Sequence, residues 1–343
     1  MKGTHSTLRI KTLPKKKAEL PKIEGYSLLE PWRNTNSGNA RWSFATKDGE
    51  TYFIKEFLSP VFPEKGVLSN EAAEAKRKIC FDYYRKKSEL YQKIADSATG
   101  NLVLIKDFFL SGTKYYITTE KIRQCNITAD KIVNVPEEKK LLLLKIVAFS
   151  LSKLHENGVV HADLKPTNIL IKLSETGQVV AKIIDFDGSY LVGQQPGPEE
   201  VQGDQIYYAP ETCRYVFGED VKLTTKVDVF ACGLMFHLYL TGELPKLGPD
   251  YAYAYEALLD GDKLELSDRL SEEYAALIGS MLALEPEDRP DMAQVLETLK
   301  AIGNKLSSPL PPPPPPPPPP ENPEPKKDPP VRSLWHKPNS HGF

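Results

Sequence analysis

The sequence predicts an α+β fold: a small β-rich part with one helix, then a larger and mostly helical part. Three observations carry this. Residues 41–57 hold two alternating runs, RWSFAT and TYFIKEF, around Asp48-Gly49, a dipeptide suited to a tight hairpin because both positions tolerate positive φ. Residues 70–94 place apolar side chains at helical spacing, and two further strand patterns follow at 102–110 and 114–122. Beyond Pro136 helical periodicity takes over, beginning with LLLLKIVAFSLSKL at 141–154, where Lys145, Lys153 and the closing HENG mark a buried helix of a soluble domain.

The two ends fall outside this pattern. Residues 1–24 are basic, dotted with proline and without a periodic apolar face, so a flexible arm is expected there. Pro311–Pro320 form an unbroken run. With no backbone donors and a fixed φ, ten prolines make a stiff left-handed rod of about 31 Å at about 3.1 Å per residue. The folded domain is therefore placed at 25–305, with an N-lobe over about 25–120, a C-lobe over about 121–305 and a proline-rich tail at 306–343.

Composition narrows the classes. At 343 residues and 40% apolar the chain can bury a two-lobed core, and a net charge of −2 argues against a protein that wraps nucleic acid. Cys80, Cys125, Cys213 and Cys232 form no C-x-x-C pair, which suggests neither a zinc site nor a disulfide framework and fits a reducing compartment. No apolar run reaches the roughly 18 residues of a membrane span, and no secretory signal pattern opens the chain. The expectation is a cytoplasmic protein that neither binds nucleic acid nor inserts into membrane.

HADLKPTNILI at 161–171 and IIDFDG at 183–188 carry the chemistry. ILI and KII can pair as neighbouring short strands, so Asp163, Lys165, Asn168 and Asp185 would meet at one mouth. Phosphoryl transfer needs a carboxylate to orient the acceptor, cations around the phosphates and oxygen ligands for magnesium. The segment holds all three.

HADLKPTN resembles the catalytic loop H-R-D-L-K-x-x-N of eukaryotic-like serine/threonine protein kinases, and DFD resembles their D-F-G, 22 residues beyond Asp163. The resemblance implies the two-lobed protein kinase fold, with Asp163 orienting the substrate hydroxyl, Lys165 steadying the γ-phosphate, and Asn168 and Asp185 holding Mg2+. YYAPE ending at Glu211, DVFACG with Asp228 and Gly233, and PEDRPDM with Arg289 are similar to the later landmarks of that family. There the glutamate pairs with the arginine inside the C-lobe and the aspartate braces the catalytic loop. Small-molecule kinases share the first two motifs without these landmarks.

The N-lobe supplies the ATP-binding candidates. Lys55 ends YFIK, which resembles the V-A-I-K strand whose lysine binds the nucleotide phosphates and needs a helix carboxylate to hold it. Glu89 is the expected partner, with Glu74 as the alternative. RNTNSGNA at 33–40 aligns with the Gly-rich loop but keeps only Gly38, a degenerate version of a loop whose glycines let backbone amides approach phosphate. TTEKI at 118–122 looks like the hinge strand, with Thr119 as gatekeeper, Glu120 and Ile122 as adenine contacts, and Leu170 as the apolar floor. Phe53 stands where the family has a small alanine, so the nucleotide pocket is expected to be narrowed or reshaped.

Departures speak to regulation. Ala162 replaces the arginine that grips an activation-loop phosphate, making the chain a non-RD type, and no serine or threonine follows Ser189 before Glu211. Activity is therefore expected not to need phosphorylation of that loop. Asp187 replaces the last glycine of D-F-G, and Asp204 replaces the threonine of Ser/Thr kinases, although Lys165 still favours serine and threonine over tyrosine. The sequence reading is a Ser/Thr protein kinase using ATP and Mg2+ on protein substrates, with an SH3- or WW-type partner for the polyproline tail. A pseudokinase acting as a nucleotide-binding scaffold is the alternative, because of the eroded loop, Phe53 and Asp187.

Overall fold

The computed structural model describes residues 20–34, 40–64, 66, 69–122, 127–173 and 178–307. The chain divides into two units, Met1–Leu306 and Ser307–Phe343, and apart from Ser307 the second unit, with the polyproline run, lies outside the described residues. So does Gly38.

The N-lobe is an antiparallel sheet of β1 (Lys22–Ile23), β2 (Tyr26–Leu28), β3 (Ala40–Lys47), β4 (Glu50–Phe57), β5 (Ile105–Ser111) and β6 (Lys114–Glu120), in the order β1-β2-β3-β4-β6-β5. Asp48 and Gly49 both take positive φ, 52° and 83°, the conformation of a two-residue hairpin turn that follows the twist of the strands. This fixes a register in which Phe44 faces Phe53 and Trp42 faces Lys55, while β4 sets Phe53 opposite Thr119 and Lys55 opposite Ile117 on β6. Lys55 and Thr119 are thereby brought onto neighbouring central strands. The arm expected through residue 24 overlaps ordered strand, since β1 begins at Lys22 and Leu28 N–H reaches Pro21 O at 3.3 Å; residues 1–19 lie outside the described residues.

One long helix, α1 (Asn70–Asp96), covers the sheet. Ser69 caps it by accepting from Ala72 N–H, and Ala73, Cys80, Leu90, Tyr91 and Ile94 form its buried stripe. Tyr83 and Tyr91 close on Phe108 of β5, with ring centroids 6.3 and 5.2 Å apart. β5 starts three residues later than its sequence pattern. Leu102 and Val103 turn away to the C-lobe instead, Val103 N–H donating to Ile183 O at 3.0 Å.

The C-lobe contains α2 (Ala129–Ile132), α3 (Glu137–Glu156), β7 (Val159–Val160), β8 (Ile169–Leu173), β9 (Val179–Ile183), β10 (Tyr190–Leu191), α4 (Pro210–Val216), α5 (Lys226–Thr241), α6 (Ala254–Leu259), α7 (Glu272–Met281) and α8 (Met292–Ser307). α3 ends at the expected stop, with Gly158 at φ 73°. α5 is buried on nearly every face and forms the axis of the lobe. Gly233 lets it approach α7: a Cβ there would lie 2.8 Å from Leu282 Cδ2 and 3.1 Å from Met281 Cβ. β8 and β9 pair antiparallel with Ile169 opposite Ile183, which places the ends of HADLKPTN and DFD side by side.

Candidate active site

The loop between β7 and β8 is held from below by one buried carboxylate. Asp228, at the start of α5, accepts His161 N–H at 2.8 Å and Ala162 N–H at 2.9 Å, and His155 Nε2 lies 3.0 Å away. These bonds hold Ala162 in the left-handed region, φ 65°, a conformation that costs a non-glycine residue about 1–2 kcal/mol. His161 ties the loop to the next motif. Its Nε2 lies 3.0 Å from Ile184 O while Nδ1 accepts Asp163 N–H at 3.3 Å, a pattern that fixes the tautomer with the proton on Nε2.

Above this base, Asp163 collects three donors. Lys165 Nζ and Asn168 Nδ2 each lie 3.0 Å from its carboxylate, and Asp204 N–H reaches Oδ1 at 3.2 Å. Asn168 Nδ2 also donates to Asp163 O at 2.7 Å. Both Asn168 bonds use the amide nitrogen, so neither engages the amide oxygen, the atom that a hard cation selects. The backbone joins Asn168 to the second motif through Ile184 N–H, which donates to Asn168 O at 3.0 Å. Asp185 follows in the left-handed conformation, φ 66°, with Phe186 buried against the His161 ring.

Lys55 is only 5% exposed and is paired twice: Nζ donates to Asp187 Oδ2 at 2.6 Å and to Asp185 Oδ1 at 3.0 Å. The partner expected on the helix is corrected here: Glu89 and Glu74 are both exposed, and the carboxylates paired with Lys55 are those of Asp187 and Asp185. From α1 it is Lys87 that reaches the site, its Nζ donating to Asp187 O at 2.6 Å. Burial opposes the charge of Lys55, yet the carboxylates of Asp187 and Asp185 outweigh it and hold the ammonium above the ordinary lysine range. Burial also raises Asp185, but Lys55 prevails and keeps that carboxyl below its ordinary value. For Asp187 burial wins over the pull of Lys55 and pushes the carboxyl up, and burial pushes Lys87 down.

A cavity of about 230 Å³ opens beside this cluster between the lobes. Phe53, Lys55, Thr119, Glu120, Ile122, Leu170 and Asp185, all proposed from the sequence, lie in its wall. Phe186 and Asp187 of the DFD motif line it as well, and Phe44, Val103, Ile105, Ile117 and Ile184 complete the lining; these last five escaped the sequence reading, because nothing in their local patterns separates a cleft wall from core. The roof is aromatic: Phe53 lies 6.2 Å from Phe44 and stacks on Trp42 at 5.5 Å. Lys182 Nζ donates to the Glu120 carboxylate at the rim.

A family model, protein kinase domain, matches residues 69–299. The chain belongs to the protein kinase family. It is similar to a probable myosin light chain kinase of Dictyostelium discoideum, 30% identical over 62% of this chain and 68% of that protein. It also resembles serine/threonine-protein kinase 17A of Oryctolagus cuniculus, 32% identical over 51% of this chain and 43% of that protein. Protein kinase kin1 of Schizosaccharomyces pombe is 26% identical over 76% of this chain and 28% of that protein. The chain thus spans about two thirds of the first relative and less than half of the other two. The family match begins at Ser69, so β1–β4 and Lys55 lie outside it and are joined to the site by geometry alone.

The later landmarks of the family fall where the sequence put them. Glu211 of α4 and Arg289 form a two-pronged pair at 2.7 and 2.9 Å, both nearly inaccessible. Asp187, substituted for a glycine, is not strained: it is absent from the residues of positive φ. What changes at Asp187 is the chemistry, since its carboxylate is in contact with Lys55.

Proposed function

We propose that the chain transfers the γ-phosphoryl group of ATP to serine and threonine hydroxyls of protein substrates. The observation that carries this is the pairing of Lys55 with Asp185 in the wall of an apolar cleft of about 230 Å³, with the bonded group of Asp163, Lys165 and Asn168 tied to the same motif through the Ile184 N–H to Asn168 O bond. The cleft offers apolar walls for a base. Lys55 offers a cation for phosphate, and Lys165 a second beside the carboxylate that would orient the acceptor.

The donor set also fits magnesium. Asp185 carboxylate and the Asn168 amide oxygen are hard ligands, and among the described residues no cluster of three or more His, Cys, Asp or Glu forms a cage of its own. Asp185 and Asn168 are the residues that would hold an ion bound together with the nucleotide. When bound with ATP, the ion supplies positive charge at the β- and γ-phosphate oxygens. Asp163, held by Lys165 and Asn168, accepts a hydrogen bond from the substrate hydroxyl and aims it along the transfer line.

The polyproline run is the proposed ligand of an SH3- or WW-type groove, supported by its composition. No helix among the described residues is long and apolar enough to cross a membrane.

The test is transfer from labelled ATP with Mg2+ to a generic basic protein. Asp163→Asn should lower kcat by about 10²–10⁴-fold, the usual contribution of a positioned proton acceptor, and Asp185→Asn should abolish metal-dependent transfer. Nucleotide binding without transfer by the wild-type protein would overturn the reading in favour of a scaffold.

A further inference from the structure

We propose that Asp187 anchors the phosphate-binding Lys55, in place of a helix carboxylate, and that Lys87 of α1 positions Asp187 for this task. The acidic residues of α1 cannot do it. Glu71, Glu74, Glu89 and Asp96 are exposed, and Asp82 is half-exposed and paired with Arg85 at 3.6 Å. At four-residue spacing α1 carries Tyr83, Lys87 and Tyr91, two aromatics and a cation: Tyr83 and Lys87 border a small cavity together with Asp187, and Tyr91 packs on Phe108. A lysine at that point would repel Lys55 unless a carboxylate stood between them.

Asp187 is that carboxylate. Its Oδ2 takes Lys55 Nζ at 2.6 Å, closer than Asp185 at 3.0 Å, while its backbone oxygen takes Lys87 Nζ at 2.6 Å. Lys55, Lys87, Asp185 and Asp187 together sum to zero charge, so the half-buried cluster balances without α1 supplying an acid. The division of labour follows. Asp185 can leave Lys55 for a metal–nucleotide complex, because Asp187 keeps the ammonium aimed into the cleft. Lys87 links this arrangement to the position of α1, so a shift of the helix would move Asp187 and with it Lys55. Both Asp187 and Lys87 are positioning residues; neither borders the acceptor-orienting Asp163 in the bonds they make.

The test exchanges the charges. A cavity of about 90 Å³ lined in part by Tyr83, Lys87 and Asp187 leaves room for a glutamate at position 87 to face Lys55 once the Asp187 side chain is gone. Asp187→Asn, Asp187→Gly and the double variant Lys87→Glu/Asp187→Gly would be compared with wild type for ADP–Mg2+ affinity, kcat and KM for ATP, and melting temperature. A misaimed phosphate ligand costs about 10²-fold, so both single variants should lose that much in kcat/KM and should bind ADP–Mg2+ more weakly. The double variant should recover most of both losses, which repacking alone would not do. Asp187→Asn is isosteric and keeps the backbone bond to Lys87, so it reads the carboxylate without unfolding the site.

The inference rests on the cleft being the nucleotide site. Failure of wild type to bind ADP–Mg2+ would overturn both that reading and this one. Wild-type affinity in Asp187→Asn, or a double variant no better than Asp187→Gly, would overturn the role of Asp187 alone.

Discussion

His237 in α5 shows how a single buried side chain makes the C-lobe sensitive to acid. It is inaccessible, its Nδ1 lies 2.7 Å from Glu243 O, and its Nε2 accepts Ser267 N–H at 3.0 Å. A carbonyl can only accept, so Nδ1 carries the proton and the ring is satisfied only when neutral. Burial holds its pKa below the ordinary histidine value of 6.5, against the raising effect of the Glu243 carbonyl and charge. Thr241 Oγ1 is the other near polar group, at 3.3 Å from Nδ1. A folded pKa below the unfolded one means that the unfolded chain takes the proton first; the stability is fully present above pH 6.5 and is lost as pH falls through the folded pKa. His237→Leu should cost about 1–3 kcal/mol at pH 8 by stranding Ser267 N–H, and the gap from wild type should narrow below pH 6.5. Urea titrations at pH 8, 6.5 and 5.5 measure this, and a pH-independent gap would refute it. His237 was invisible as a sequence feature because its partners lie in two separate loops. The same holds at the cleft. Asp163, Lys165, Asn168 and Asp185 are legible because short fixed offsets define them, whereas the anchor of Lys55 comes from 132 residues away and Lys87 reaches across 100, so the offset that suggested Glu89 had no geometric content.

At the scale of elements, Arg289 is the fastening of the C-lobe. Lying just before α8, it donates to Glu211 of α4, to Lys226 O at the start of α5 and to Ala283 O and Leu284 O after α7. Its guanidinium also lies 5.0 Å from the Phe230 ring. Arg289→Ala would leave the Glu211 carboxylate, 1% exposed, without its cation. Breaking such a pair costs about 3–5 kcal/mol, so the variant should melt well below wild type or fail to express folded, while Glu211→Gln/Arg289→Met, which removes both charges, should recover much of the loss. Unchanged melting of Arg289→Ala would show that α4 is held by packing alone. The elements that the sequence revealed are those with strong local signals: the Asp48-Gly49 hairpin, α1 with its Ser69 cap, and α3 with its Gly158 stop. β1, β7 and β10 have only two residues each and exist through their partners, as in the pairing of Tyr190 with Val160, so no window of sequence could display them. Leu102 and Val103 read as strand β5 because they are apolar; the bridge to Ile183 that captures them is a tertiary event.

At the scale of the whole molecule, the segment from Asp185 to Glu211 is tied down along its length by hydrogen bonds to the rest of the C-lobe. Ser189, its only serine or threonine, is 5% exposed and donates to His161 O at 2.9 Å, so a modifying enzyme could not reach it without unfolding the loop. Further along, Gln195 is bonded on both sides, Nε2 to Val221 O and Oε1 from Leu223 N–H, each at 3.0 Å. Tyr215 OH holds Pro196 O at 2.7 Å, and Asp204 N–H ends the run on Asp163 itself. Asp204 Oδ1 also caps the turn that follows by accepting Ile206 N–H at 3.1 Å. Neutral and backbone bonds thus do the ordering that an arginine–phosphate pair would otherwise supply, in keeping with Ala162 at the arginine position. The chain purified from a phosphatase-treated source should therefore show the same kcat and the same KM for ATP as untreated protein, within about twofold, whereas Gln195→Ala, which frees Val221 O and Leu223 N–H, should lower kcat by loosening the segment. Mass spectrometry of the treated and untreated samples decides whether phosphate was present to remove. A treated enzyme that is inactive until phosphate returns to Ser189, Tyr207 or Tyr208 would show that these bonds do not suffice to hold the segment in place.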